Sequence, residues 1–263
     1  MTTWGPSRLL RRGLFISAVV LVCVAVGIPA FAYTTRATHT HVVRSGNGPV
    51  FGSSTATCPK GQVVLFGGFS NGVAGMRRTA SNQLTVDGYN LGGQPLWLTS
   101  FAYCGHGPVS TKATNTVKVS SFGTATAACP AGKVVVAGGF AASPKSVIAV
   151  TRLERIGVNR LRVSAYLRYH ITKRTLLTAI AYCGAGPAPK LVFHTETLPK
   201  TGGSSQATCP AGTKLIFGGV TARGSGYPPL VFAMVAVGQN TWRVRDSTDK
   251  RAASTLTSLA YCR

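Results

Sequence analysis

Catalysis and metal binding need carboxylates, imidazoles, thiols or activated hydroxyls at workable spacing, and this chain is unevenly stocked with them. It holds 5 Asp+Glu and 5 His against 28 Lys+Arg, for a formal net charge of +23. The carboxylates are Asp87, Glu154, Glu196, Asp246 and Asp249. Glycoside hydrolysis wants two of them flanking a bond, roughly 5–9.5 Å apart. None of the five recurs at an equivalent place in the repeats described below. Most sit beside basic residues, so solvated ion pairs are their expected role. His39 and His41 would share one face of a strand as two metal ligands. No acid or cysteine accompanies them at zinc-site spacing, and a solvated pair in a Thr-rich leader is expected instead. There is no Gly-x-Ser-x-Gly elbow. The glycine-rich pieces Gly105 to Pro108 and Gly184 to Pro187 read as turns, because no helix follows to present N-terminal amides to a phosphate. No catalytic residue, metal or cofactor is expected.

The basic side chains are a different matter. In the second repeat Lys145, Arg152, Arg155, Arg160, Arg162, Arg168, Lys173 and Arg174 face Glu154 alone. At a period of two, Arg160, Arg162 and Arg168 fall on the polar face of one strand together with Tyr166. Arg243 and Arg245 occupy the matching places in the third repeat, where the first has Gln83, Thr85 and Asp87. Guanidinium groups beside an aromatic ring bind phosphate, sulfate or carboxylate and stack on rings. A field of this sign also concentrates polyanions. The expected partner is an anionic polysaccharide, a wall polymer or a membrane surface. Nucleic acid is not expected, since no DNA- or RNA-reading motif is present. The competing role for these charges is solubility and the blunting of sheet edges.

The elements that would carry this face come in threes. Cys58-Pro-Lys-Gly61 leads to Gly67-Gly68-Phe69; Cys129-Pro-Ala-Gly132 leads to Gly138-Gly139-Phe140; Cys209-Pro-Ala-Gly212 leads to Gly218-Gly219-Val220. Each unit contains an Asn-x-large apolar-x-Val element, starting at Asn82, Asn159 and Asn240, and closes on Ala-Tyr-Cys at Cys104, Cys183 and Cys262. Such recurrence marks three structural repeats. Two disulfide schemes respect it: bridges within each unit (58–104, 129–183, 209–262), or bridges from each unit's end to the next unit's start. The first gives every module its own clasp and is preferred. Cys23 stands apart as apolar filler. Leu161, Val163, Ala165 and Leu167 alternate with polar residues, as in a half-buried strand. Val63 to Phe66, Val147 to Leu153 and Leu230 to Val237 read as further strands. Val42-Val43, Val117 to Val119 and Leu191 to Phe193 read as short extended pieces. Outside the first 32 residues no amphipathic helix is evident.

About four antiparallel strands per unit, with spacings of 71 and 80 between opening cysteines, predict an all-β, pseudo-threefold β-prism of antiparallel sheets, one sheet to a unit. A β-trefoil-like fold is the alternative. Upstream, Arg8, Arg11 and Arg12 precede an apolar run of 15 residues, Leu14 to Ile28, then Pro29 and Ala30-Phe31-Ala32. This reads as a secretory signal cut after Ala32, or as an anchor over residues 14–33. The expected organisation is therefore a signal or anchor (1–32), a leader (33–41) and a single domain (42–263), with units near 42–108, 117–187 and 191–262.

The Cys-Pro-x-Gly opening, the Gly-Gly-Phe turn and the Ala-Tyr-Cys close resemble a group of secreted bacterial repeat proteins of unknown function. More distantly they are similar to vitelline membrane outer layer protein I, which implies a β-prism of three Greek-key units. That second family is associated with amino-sugar polymers, yet this chain is basic where a processing site would want carboxylates. A secreted or anchored non-enzymatic protein binding an anionic or carbohydrate surface is the leading expectation. A carbohydrate-active enzyme of the same fold and a structural envelope protein are the alternatives.

Overall fold

A computed structural model describes residues 33–143, 146–169, 175–224, 230–246 and 254–263. The signal or anchor segment lies outside the described residues. Within them the protein is all-β. The first unit supplies β1 (Thr35–Val43), β2 (Val50–Thr57), β3 (Val63–Ser70), β4 (Val73–Ala80), β5 (Gln83–Asn90) and β6 (Leu96–Gly105). The second supplies β7 (Thr111–Val119), β8 (Phe122–Ala128), β9 (Val134–Ala142), β10 (Val147–Ile156), β11 (Arg160–Tyr169) and β12 (Thr175–Gly184). The third supplies β13 (Lys190–Leu198), β14 (Gly203–Thr208), β15 (Leu215–Gly224), β16 (Val231–Val237), β17 (Thr241–Asp246) and β18 (Ser254–Cys262).

These strands form three six-stranded antiparallel sheets, with orders β1-β6-β3-β16-β17-β14, β2-β5-β4-β9-β12-β7 and β13-β18-β15-β10-β11-β8. The arrangement is a three-unit β-prism, as expected. Its wiring differs from one sheet per unit. Each unit splits into two three-stranded halves, and each half joins a half of a neighbouring unit. A two-residue period says which face a side chain takes, but it carries no information on which strand lies alongside. The stretch set apart as a leader also proves to be a strand: β1 pairs with β6 along its whole length. Its polar sequence, exposed almost throughout, hides it from any search for apolar alternation.

Consecutive strands β1 and β2 are the edges of two different sheets and lie against each other. The pairs β7/β8 and β13/β14 do the same, which makes the three corners of the prism. The disulfides 58–104, 129–183 and 209–262 form within units, with Cα–Cα distances of 5.7, 5.6 and 5.6 Å. Each joins the end of a strand in one half (β2, β8, β14) to the last strand of the other half (β6, β12, β18), so it ties a unit's two halves together. The Cys-Pro-x-Gly motif is a tight turn: the amides of Gln62, Lys133 and Thr213 donate to the carbonyls of Pro59, Pro130 and Pro210. Gly61, Gly132 and Gly212 sit at φ of 80°, 73° and 79°, a region that costs a side-chain-bearing residue energy.

The seams between units explain the Gly-Gly pairs. A Cβ on Gly68, Gly139 or Gly219 would stand 2.4, 2.6 or 2.1 Å from the carbonyl oxygen of Met234, Met76 or Leu153, on the neighbouring unit's strand. The preceding glycines, 67, 138 and 218, make room for Leu84, Leu161 and Trp242 from the inner face of β5, β11 and β17. A tyrosine then bolts each seam. The hydroxyls of Tyr103, Tyr182 and Tyr261 accept the backbone N–H of Ala236 (2.6 Å), Arg78 (2.6 Å) and Arg155 (2.8 Å). Phe69 and Phe140 meet edge to face at 6.2 Å between ring centres in the buried interior.

Two substitutions test the seams by thermal and denaturant unfolding. Gly139→Ala forces its Cβ into the Met76 carbonyl and is expected to destabilise by about 1–3 kcal/mol. Tyr182→Phe strands the Arg78 amide and is expected to lose about 1–3 kcal/mol. Gly48→Ala, where nothing lies within 4 Å, is the neutral comparison.

Candidate functional site

On the third sheet, β11 lies between β10 and the edge strand β8. Leu161, Val163 and Ala165 face the core and are fully buried, which turns Arg160, Arg162, Ser164 and Tyr166 outward. The pairing of β11 with β8 is regular, so Arg160 stands beside Ala128, Arg162 beside Thr126, Ser164 beside Thr124 and Tyr166 beside Phe122. The Thr124 and Ser164 hydroxyls are 2.9 Å apart; Thr124 is exposed, whereas Ser164 is buried beside it. Phe122 is 51% exposed. The result is a strip of four rows, cationic at one end, hydroxylated in the middle and aromatic at the other.

Across from Arg162 on β10 lies Glu154. Arg162 grips its Oε1 with Nε at 2.9 Å and Nη2 at 2.8 Å, while Arg152 Nη1 stands 4.0 Å from the same oxygen. Two guanidiniums thus share one carboxylate, and with Arg160 alongside the strip keeps a net positive charge. Phe122 escaped the sequence reading, although period-two alternation through Phe122-Gly-Thr-Ala-Thr-Ala-Ala128 would have turned it outward.

The structure separates two groups of residues that the sequence had brought together. Arg168 leaves the strip. The β10–β11 ladder slips by one residue between Val147/Ile148, which pair with Tyr169 and Leu167, so Arg168 is the extra residue of a bulge, and bulges re-aim side chains. It lines a cavity of about 430 Å³ at the end of the prism opposite the disulfides, among Phe69, Tyr89, Ile148 and Phe232. Arg243 and Arg245 lie on β17 of the first sheet, beside Gln206 and Ser204 of its edge strand β14. They repeat the strip's placement on another face of the prism. Arg245 is exposed; Arg243 is half-buried, and its Nε is shielded from solvent without a hydrogen-bond partner. Lys145, His170, Lys173 and Arg174 lie outside the described residues.

The carboxylates are scattered. Asp87 on β5 takes a hydrogen bond from Ser53 (2.8 Å) and pairs with Arg77, beside a depression on the outer face of the second sheet. Glu196 on β13 meets His194 at 3.3 Å. Glu154 and Glu196 share a sheet but are separated by β18 and β15, three strand spacings or about 14 Å. Asp246 stands on the first sheet, and Asp249 lies outside the described residues. His39 is ordered on β1, with Nδ1 3.0 Å from the Ser54 hydroxyl. Among the described residues no three His, Cys, Asp or Glu side chains gather as a metal site.

Fold and surface together define a disulfide-clasped, threefold β-prism with a basic, aromatic-tipped outer strip. No protein-family model matches the chain, and no curated protein matches it in sequence.

Inside, burial sets the tyrosine chemistry. Tyr89, whose hydroxyl donates to the Ile148 carbonyl at 2.8 Å, is pushed from its ordinary 10.0 up to about 12, partly offset by Arg168. Burial likewise pushes Tyr261 up to about 12, and Tyr103 and Tyr182 upward. A phenol whose folded pKa exceeds its unfolded one contributes stability that is intact below pH 10 and is lost as pH climbs toward 12. Tyrosinate absorbance and circular dichroism should therefore show Tyr89 and Tyr261 ionising together with unfolding between pH 10 and 12. Full tyrosine ionisation near pH 10 with the fold intact would contradict this burial.

Proposed function

We propose that this is a secreted, non-enzymatic binding protein whose outer strip on β8, β11 and β10 holds an anionic extracellular polymer, an acidic polysaccharide above all. The carrying observation is the ordered strip itself. Arg160 and Arg162 offer planar donors to carboxylate or sulfate groups. Phe122 and Tyr166 offer apolar faces to sugar rings, and the exposed Thr124 hydroxyl, backed by buried Ser164, lies between. Six residue steps along β11 span about 20 Å, a length suited to a chain ligand rather than a single small ion. Arg243 and Arg245 supply a second, weaker contact on the adjoining face.

Three disulfides suit folding in an extracellular, oxidising environment. Export through the N-terminal segment, by cleavage after Ala32 or by retention of residues 14–33 as an anchor, belongs to the same proposal. So does kinship with the secreted Cys-Pro-x-Gly repeat proteins. The scattering of Asp87, Glu154, Glu196 and Asp246 over three sheets favours binding over glycoside hydrolysis.

Residues 33–263 are titrated with polygalacturonate and with a neutral glucan at two ionic strengths. Binding to polygalacturonate that falls as salt rises is expected. The double variant Arg160→Gln/Arg162→Gln should lose about tenfold or more in affinity, and Arg243→Gln/Arg245→Gln less. Equal binding of the neutral glucan, or binding indifferent to salt, would overturn the proposal.

A further inference from the structure

Where the Tyr182 and Tyr261 seams are compared near their disulfides, one is self-sufficient and the other is not. At the seam bolted by Tyr182, Arg78 turns inward with its guanidinium 3.7 Å from the centre of the Tyr182 ring. It donates to the Val64 carbonyl (3.1 Å) and to the carbonyl and hydroxyl of Ser110. At the seam bolted by Tyr261, Arg155 takes the equivalent place, 5.0 Å from the Tyr261 ring centre. Here the residue matching Ser110 is Pro189, which has a carbonyl but no hydroxyl. Arg155 Nη2 donates to that carbonyl at 2.6 Å. Its Nε and Nη1 are shielded from solvent and have no hydrogen-bond partner, which is costly for a charged group.

A second cation stands at the same place. The residue after the closing cysteine is Gly184 at the Tyr182 seam but Arg263 at the Tyr261 seam. Arg263 reaches the carbonyl of Pro187, two residues before the carbonyl that Arg155 holds. Its main chain is pinned to Lys214 in both directions, so the side chain is aimed by the sheet. Burial first, and the charge of Arg155 second, push the Arg263 guanidinium's pKa down. The neighbouring carboxylate Glu154 is turned to the outer face and held by Arg162.

We infer that Arg155 and Arg263, converging on the Pro187–Pro189 segment, form a site for a small oxyanion of the phosphate or sulfate class. Such an ion offsets the repulsion between two guanidiniums, and a small turn of the Arg155 side chain brings its covered, unpartnered nitrogens to it as donors. The site is separate from the outer strip and does not depend on a polymer bound there.

The test is thermal unfolding of residues 33–263 in inorganic phosphate, and in sulfate, against chloride at matched ionic strength. A saturable rise in midpoint of about 4 °C is expected at high occupancy. It should disappear in Arg155→Gln and in Arg263→Gln, and persist in Arg78→Gln and in Arg160→Gln/Arg162→Gln. Should Arg155→Gln fail to fold, Arg263→Gln decides, because that side chain's carbonyl contact is at the surface. An undiminished phosphate response in Arg263→Gln, or no response beyond that of chloride, would overturn the assignment.

Discussion

Three backbone-to-backbone approaches, too close for any side chain, hold this molecule together. Where β3 meets β16, β9 meets β4 and β15 meets β10, a glycine faces the carbonyl of a neighbouring unit. Each seam is short. Ser70 and Phe69 pair with Ala233 and Met234, Ala141 and Phe140 with Gly75 and Met76, and Thr221 and Val220 with Arg152 and Leu153. With so little ladder at each seam, the glycine approach, the tyrosine hydroxyl and the packing of Leu84, Leu161 or Trp242 must act together. At the third unit the indole of Trp242 fills the space left by Gly218 and donates to the Gly219 carbonyl at 3.0 Å. A large ring and a missing Cβ are two halves of one fit there.

Because the seams use backbone, glycine and inward side chains, the outward positions are free to differ between units. Equivalent places on β5, β11 and β17 carry Gln83, Arg160 and Thr241; Thr85, Arg162 and Arg243; Asp87, Ser164 and Arg245. One scaffold position is thus acidic, hydroxylated or cationic according to the unit. The inward corner beside the seam tyrosine varies too. Arg78 and Arg155 occupy it at two seams, whereas at the third Tyr33 packs 5.0 Å from Tyr103 and donates to the Gly238 carbonyl. Threefold symmetry governs the frame, and departures from it supply the chemistry.

Much of this was legible in the residues, for physical reasons. Repetition reduced the possible disulfide pairings to two, and the preferred within-unit scheme is the one present. The fold class followed from period-two alternation in segments such as Leu161 to Leu167. Glycine inside a strand signals a bulge or a close backbone approach; at Gly67-Gly68, read as part of a turn, β3 runs straight through and Gly68 makes the approach. What stayed hidden needs partners rather than patterns. The exchange of half-sheets depends on which strand lies alongside, and β1 has no apolar face to betray it. The strip was half legible: Arg160, Arg162 and Tyr166 fall on one face by counting, while Phe122 needs the β8–β11 register. Arg168 was misplaced because a bulge shifts the count by one, and no composition signal marks it.

If the seams share one closed ring, opening any of them exposes the others. Hydrogen exchange of the intact chain reads this directly at the amides of Arg78, Arg155 and Ala236, each held by a seam tyrosine. The account predicts that all three exchange with a common protection factor, equal to that of global unfolding. Three clearly different values, each below the global one, would mean that the units open independently and would contradict it.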